Sequence, residues 1–449
     1  MDPKPESEAV VLTVDTGGAV GDIDLARYSL GQGGLSDRPM IEPHTEQLAQ
    51  LRPQTIRLFV QDYFNLYPDH GRYHWESLDK SLACIAATGA RPELSLCFKP
   101  RILFPVVDQD AVHPTSYEEW EERVFQLVRH VNTVRGYGAQ YWAVGNEPDL
   151  GEAGGCPYRF APAEYLAYYR HTASAILRAD PAARVGGPAL SDHRHPIGSE
   201  LMAFAADGEA PLDFFSWHVY DSSPEAIRRT VSEVRDQLAQ YPALEDTETV
   251  ISEWNMSLSR PDPRPGFQAA FVLDVTRAMH EERLSRASYY HVRDVFVDPG
   301  QFSRFLSPEG AAGFARYWNI APQYCGIYDN QGRTRPTYYV FRLLVLIRGA
   351  HHAVQGENSR VKALAATHGR NTTIVYWNFP GVSGGGPAAV SVQFPLPPGS
   401  TYRYVRINPD ANVNNLETLR AGDASELQSE PLGGLLEPYG IRWIEITRP

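Results

Sequence analysis

Cysteine is scarce in this chain: Cys84, Cys97, Cys156 and Cys325 are the only four among 449 residues. None sits in a Cys-x-x-Cys pair or at zinc-ligand spacing from a histidine. That argues against a zinc site and a dense disulfide framework, and leaves buried free thiols as the expectation. Positive charge is also in deficit: 41 Lys and Arg against 54 Asp and Glu give a formal net charge of -13. Nucleic acid, which is held by clustered cations, is therefore not an expected partner. No apolar run approaches the ~18 residues of a membrane-spanning helix. The opening Met-Asp-Pro-Lys-Pro-Glu-Ser-Glu lacks the apolar core of a signal peptide. The expected location is cytoplasmic if this start is native, and secreted or periplasmic if a signal peptide was trimmed. With 43% hydrophobic and 21% charged residues, neither disorder nor a fibrous class is indicated.

What the chain does contain is a series of short apolar segments separated by helical ones. Strands are expected at Thr55 to Val60, Pro92 to Phe98, Gln140 to Val144, Arg184 to Pro188, Phe214 to Val219, Thr249 to Ser252 and Ala287 to Val292. An eighth, around Ala26 to Leu30, leads the series. Between them, stretches such as Tyr117 to Arg135 and Ala163 to Ala179 carry apolar residues at three-to-four spacing, with acids early and bases late. This alternation predicts a parallel (β/α)8 TIM barrel over 25–348, with an open doubly wound sheet as the rival. After about Gly349 the periodicity changes to alternating segments, such as Thr373 to Phe379, Ala389 to Phe394, Tyr402 to Ile407 and Gly440 to Ile446, divided by Gly, Pro and Asn. An antiparallel β-sandwich over 349–449 is expected, with the N-terminal 1–24, including Ala9 to Val14, joining it.

Two of the barrel strands end on a lone glutamate. Tyr141 to Asp149 runs from an apolar strand into Asn146-Glu147-Pro148, and Ile251-Ser252-Glu253-Trp254-Asn255 does the same for Glu253. A glutamate at a strand end is most often a solvated surface residue. Two of them aimed at one point from the C-terminal rim of a barrel supply what retaining glycoside hydrolysis requires. One acid protonates the leaving oxygen and one carboxylate attacks the anomeric carbon, ~5–5.5 Å apart.

On these residues the chain resembles the clan A glycoside hydrolases and, within them, glycoside hydrolase family 39, which includes β-xylosidases and α-L-iduronidases. Gly145 to Asp149 and Glu253 to Asn255 look like the family's two motifs, on the fourth and seventh strands of the series. The resemblance implies that Glu147 is the acid/base and Glu253 the nucleophile, with no metal or cofactor. It implies that Asn146 binds the sugar's 2-hydroxyl and that Arg57, in Thr-Ile-Arg-Leu-Phe, is held against the nucleophile. Ser216 to Tyr220 resembles the strand-six His-x-Tyr, so His218 and Tyr220 would hydrogen-bond near the nucleophile. Tyr289 to Phe296 is similar to the strand-eight segment, with Tyr290 standing where the family usually has tryptophan, a departure from the routine xylosidase pattern. Cys325 to Leu344 looks like the last barrel turn and helix.

Trp254 and Tyr290 are expected to contact substrate, and Tyr63, Phe64 and Trp318 to stand at the pocket rim. Arg101 or Arg293 would supply the arginine-rich pocket that a uronic acid needs. The expected partner is an oligosaccharide or polysaccharide; oligomeric state has no sequence signal. Two alternatives from the same residues are a catalytically silent carbohydrate-binding protein, and an endo-glycosidase or α-L-iduronidase-like enzyme on an exopolysaccharide. A metal-dependent hydrolase would need His-x-His ligands, and His193-Arg194-His195 has that spacing, but a surface loop after strand five is the simpler expectation. Leu30-Gly31-Gln32-Gly33-Gly34 lacks phosphate-loop spacing and reads as a tight turn.

Overall fold

The computed structural model describes residues 9–32, 36–294, 296–320, 323–408, 416–428 and 432–449. Eight parallel strands close into a barrel in chain order: β1 (Tyr28–Gly31), β2 (Thr55–Val60), β3 (Arg91–Leu96), β4 (Tyr141–Val144), β5 (Arg184–Leu190), β6 (Phe214–Tyr220), β7 (Glu248–Asn255) and β8 (Arg286–Tyr290). β8 pairs with β1 over Ala287–Tyr290 and closes the ring. The TIM barrel read from the alternation is therefore present, and the doubly wound rival is not. Gly33 and Gly34 of the expected turn after β1 lie outside the described residues.

Helices cover the outer face of this sheet, so its strands are buried on both sides and read as continuous apolar runs. All six positions of β2 are buried. The period-two alternation still decides which side each residue serves. In β2, Ile56 and Leu58 face a small cavity shared with Ser81 and Ile85 of the helix Glu76–Ala87, while Phe59 faces the mouth of the barrel. Tyr141, Ala143, Phe214 and Val250 pack together as a layer filling the barrel's interior. The barrel is thus a packed core open only at its C-terminal rim.

The C-terminal part forms two further sheets. A seven-stranded antiparallel sheet runs Leu416–Asp423, Thr401–Ile407, Ile441–Thr447, Asn371–Asn378, Val361–His368, Arg348–His352 and Gly21–Asp24. Facing it is a four-stranded sheet of Val354–Gln355, Val10–Val14, Ala388–Gln393 and Gly433–Leu436. One pairing departs from the antiparallel expectation, since Val10–Thr13 lies parallel to Val390–Gln393. Leu12, Val14, Val390 and Val392 pack against Ile374, Tyr376, Tyr404 and Ile444 to make the core between the two sheets. The alternate residues Val375, Trp377, Val405 and Trp443 point the other way and merge with the barrel's core. The larger sheet is apolar on both faces because both are covered. No helix among the described residues is long and apolar enough to cross a membrane.

The join between barrel and sheet is centred on the helix Pro265–Glu281. Phe267 packs on Phe379 and Tyr439, and the buried Asp274 accepts bonds from Lys362 Nζ (2.7 Å) and Trp377 Nε1 (2.9 Å). A carboxylate removed from water is tolerated only when its oxygens are bonded, and taking it away strands both donors. Asp274→Ala is therefore expected to destabilise the protein by about 2–3 kcal/mol. Urea unfolding of variant and parent checks this; equal midpoints would mean that the two bonds add no net stability.

Candidate active site

The rim places the two glutamates from opposite sides of the barrel mouth. After β4 ends at Val144, the chain turns through Gly145 (φ 94°) and Glu147 itself adopts φ 45°, a left-handed conformation unusual for a residue with a Cβ. That backbone is held by Glu147 N–H donating to Ala189 O (2.9 Å) and by Leu150 and Gly151 N–H donating to Glu147 O (2.9 and 3.0 Å). Strain of this kind persists where the surroundings over-determine it, and it clusters at working sites. Glu253 lies within β7, two positions before its end, and its side chain points inward. One oxygen of each glutamate and one ring nitrogen of His218 lie within 4.8 Å of one another. The spacing is close to the ~5–5.5 Å of carboxylates that share a single anomeric carbon.

Arg57 gives the two acids different surroundings. Its Nη1 donates to Glu253 Oε1 (2.7 Å), and its Nη2 donates to Asn146 Oδ1 (2.7 Å) and Ser95 Oγ (3.0 Å). Tyr220 Oη donates to the other oxygen, Glu253 Oε2 (2.5 Å). Both oxygens of Glu253 are thus bonded, one to a cation. Glu147 has no cation bonded to it. Burial first, then the charge of Asp149, pushes its carboxyl up to about 8, against the more distant Arg57. His218 Nδ1 lies 2.8 Å from Glu147 Oε1, and its Nε2 lies 3.6 Å from Glu253 Oε1. Burial holds this imidazole down to about 4, so near neutrality the ring is uncharged and shares one proton with a protonated Glu147. Glu147, His218 and Glu253 are the one group of potential metal donors among the described residues. With Arg57 occupying the cationic position and Glu147 a neutral carboxyl, the group suits proton transfer better than a dication.

Around these groups lies a cavity of about 370 Å³. Its walls include Phe59 of β2 and Gln61 just after it, Tyr220 and Tyr290 at the ends of β6 and β8, Leu258 after β7, and Phe314, Tyr317 and Trp318 from the helix Pro308–Trp318. The segment Gly151–Gly154 closes over Glu147: a Cβ at Gly154 would overlap Glu147 Oε2, and one at Gly155 would overlap the Phe314 ring. No lysine or arginine is among the lining residues.

The structure brings together Glu147, Glu253, Asn146, Arg57, His218, Tyr220 and Tyr290, with Trp318 at the wall, and does not bring in the others. His218 bonds to Glu147 rather than to Glu253. Trp254 is corrected: the register shift in β7 between Ile251 and Glu253 turns Glu253 inward, and Trp254, next along the strand, points outward, where it is fully buried against Phe271 and Tyr289. Tyr63 packs on Phe64, Phe302 and Phe305, away from the cavity lining, and Phe64 faces the small cavity behind β2. Arg101 faces a neighbouring cleft, and Arg293 Nη2 donates to Asn330 O (3.3 Å). His193 is paired with Glu233 (2.6 Å), and His195 caps the helix Pro196–Ala206, so the His-x-His serves structure. Cys97, Cys156 and Cys325 are buried free thiols, and Cys84 is half-buried.

Sequence reasoning missed Ser95, Gln61, Phe314 and Tyr317. Ser95 had a usable signal, as a hydroxyl inside the apolar β3. The Ser307-Pro308-Glu309 start of the helix Pro308–Trp318 marks a helix N-terminus, but nothing local says that its far end reaches the cavity.

Comparisons with known proteins place the chain in a family. The model for "Glycosyl hydrolases family 39" matches residues 55–380. A β-xylosidase from Caldicellulosiruptor saccharolyticus is 27% identical over 333 residues, 67% of this chain and 63% of that protein. A β-xylosidase from Geobacillus stearothermophilus is 25% identical over 308 residues, 61% of this chain and 55% of that protein. The chain thus spans 55–63% of the length of these curated relatives. Among solved structures, a monomeric β-xylosidase from Caulobacter crescentus CB15 has the same fold, with a TM-score of 0.74 at 21% identity, covering 98% of this chain and 100% of that one.

The protonated state of Glu147 has a consequence for stability. Its folded value of about 8 lies above the ordinary 4.5, so the folded chain keeps a proton that the unfolded chain releases, and stability falls as pH rises through that window. His218 acts with the opposite sign between about 4 and 6.5 and, being bonded to Glu147, is coupled to it, so the comparison is read above that window. Glu147→Gln is expected to gain about 1 kcal/mol on the parent between pH 7 and pH 8. Urea midpoints at both pH values measure it, and parallel pH profiles would contradict a protonated Glu147.

Proposed function

Because this chain belongs to glycosyl hydrolases family 39, we propose that it is a retaining glycosidase that releases β-linked xylosyl or closely related neutral units by double displacement. Glu147 serves as acid/base and Glu253 as nucleophile. The observation that carries the reading is the division of labour between two carboxyls within 4.8 Å: one is held protonated by burial, the other is bonded on both oxygens by Arg57 and Tyr220.

In the first step Glu253 attacks the anomeric carbon while Glu147 gives its proton to the departing oxygen, leaving a glycosyl ester on Glu253 and an ionised Glu147. In the second step Glu147 takes a proton from water as that water attacks the same carbon. The sugar is released with its original configuration and Glu147 is protonated again. Arg57 favours Glu253 as an anion before attack and as leaving group afterwards. Asn146, oriented by Arg57 Nη2, presents its amide for the sugar's 2-hydroxyl, a contact that strengthens as positive charge develops at the ring. His218 holds the proton of Glu147 in place between turnovers.

A neutral sugar fits the lining better than a uronic acid. A carboxylated ring bound beside Glu147 and Glu253 would need its own cation, and the lining provides none. The aromatic wall of Tyr290, Phe314, Tyr317 and Trp318 offers apolar faces for a sugar ring. The two curated relatives are both named β-xylosidases, which favours a pentose.

A 2-fluoro β-xyloside with a good leaving group is expected to inactivate the protein and to leave its label on Glu253, read by peptide mass spectrometry; a label elsewhere would overturn the assignment. Activity should fall on the alkaline side with an apparent value near the 8 of Glu147. Glu147→Ala should lose about 100-fold or more in kcat on substrates with poor leaving groups and far less on activated aryl xylosides. Added azide should then restore turnover and give the β-azide. A variant as active as the parent on both substrate types would remove Glu147 from the mechanism.

A further inference from the structure

Beside the catalytic pocket, on the same rim, lies a second cleft of about 240 Å³. Its lining includes Asp62 and Asn65 after β2, Phe98, Arg101 and Ile102 after β3, and Arg304 after β8. The two cavities share the turn after β2 as a wall: Gln61 lines the catalytic one and Asp62 the second. Arg101 and Arg304 are exposed. Neither guanidinium has a hydrogen-bond or ion-pair partner among the described residues. The nearby Lys99, by contrast, spends its ammonium on Asp108 O (2.6 Å) and Pro157 O (3.3 Å).

Two guanidinium groups in one concave site, bonded to none of the described residues and with Arg101 near enough to Asp62 to oppose the rise of its carboxyl, are suited to a carboxylate, whose two oxygens match their planar donors. The rest of the lining narrows the ligand. Phe98 and Ile102 give apolar wall for a ring, and Asn65 gives an amide for hydroxyls. Asp62 accepts Lys99 N–H at Oδ2 (2.5 Å), and its carboxyl, pushed by burial up to about 7, can donate to a hydroxyl or ring oxygen when protonated. An acid at the floor works against a dianion such as phosphate. A single carboxylate surrounded by hydroxyls, which is a uronic acid, fits all of these groups. Arg57, behind the catalytic pocket, is already bonded to Glu253, Asn146 and Ser95, and no other cation lines that pocket, so the acidic unit and the cleaved unit belong in different cavities.

We infer that this cleft binds a uronic acid unit carried by the same oligosaccharide whose neutral end enters the catalytic pocket. The inference rests on the glycosidase reading above and adds to it: the substrate class becomes an acid-decorated oligosaccharide, with Arg101 and Arg304 as its specificity-determining residues.

The test uses the full chain and xylo-oligosaccharides bearing one glucuronic acid at successive units, each compared with its neutral parent. Binding is measured by calorimetry on Glu253→Gln and hydrolysis on the parent enzyme. At least one acidic member should bind about tenfold more tightly than its neutral parent and be cleaved with a correspondingly higher kcat/KM. Adding R101L and R304L together should abolish that advantage, and raised salt should weaken it, while the aryl β-xyloside rate stays unchanged. Glucuronic acid alone is a further arm: binding as tight as that of the decorated oligosaccharide would overturn the link to a shared substrate. No preference for any acidic member, or a preference that survives loss of both arginines, would overturn the site. If no aryl xyloside is hydrolysed but arginine-dependent binding persists, the catalytic reading fails and the cleft stands.

Discussion

One guanidinium holds the mouth of this barrel together. Arg57 is 2% exposed, far from the water that would normally solvate its charge, and its position is tolerable only because Glu253, Asn146 and Ser95 accept from it. These acceptors come from β7, the turn after β4, and β3, so a single side chain on β2 fixes the relative placement of four parts of the rim. Its contact with the Phe59 ring, 4.7 Å away, completes the enclosure. The pair with Glu253 does more than hold geometry. It gives Glu253 a bonded cation and leaves Glu147 without one, so that burial raises the latter's carboxyl. Both acids are nearly inaccessible, so their separation in character comes from bonded partners rather than from exposure.

The acid-bearing turn is tied outward as well as inward. Beyond Glu147 the chain runs to Glu152, whose carboxylate accepts Ser307 N–H (2.6 Å) and Ser307 Oγ–H (2.5 Å) at the start of the helix Pro308–Trp318. That helix carries Phe314, Tyr317 and Trp318 into the cavity wall. Gly154, Gly155 and Gly310 lie where a Cβ would overlap Glu147, Phe314 and Glu152 respectively. The backbone therefore packs directly on Glu147, on the aromatic wall and on the link between them. These contacts tie the aromatic wall to the turn that carries Glu147.

Much of this was legible in the sequence because it depends on local pattern. Eight apolar segments at regular spacing imply a closed parallel sheet, and a charge inside the apolar Thr-Ile-Arg-Leu-Phe implies a buried partner. What escaped depends on which way a side chain turns or on long-range placement. Trp254 escaped because the register shift between Ile251 and Glu253 breaks the alternation that would otherwise put it on the same face as the inward Val250. The strand Leu416–Asp423 shows no burial alternation to read, being an edge with most of its side chains exposed. Arg348–His352 is short and polar, and is defined by its partners Gly21–Asp24 and Ala365–Thr367 rather than by its own residues. Arg101 lies in a connection after β3 with no regular structure to orient it, so its cleft becomes visible only once Asp62 and Arg304 are brought beside it.

Strand eight and a helix that follows it build the aromatic side of the cavity together. Tyr290, at the end of β8, lines it 6.1 Å from the ring of Phe59 on β2. Its ring packs edge-on against Trp318 at 5.7 Å, and Trp318 in turn meets Phe314 at 6.1 Å. The aromatic surface is thus shared between the end of β8 and the helix Pro308–Trp318. Glu147 and Glu253 are held by the barrel strands and by Arg57, whereas Phe314, Tyr317 and Trp318 belong to a connection between strands. Side-chain changes in that connection would alter the aromatic wall without disturbing the acceptors that keep Arg57 buried.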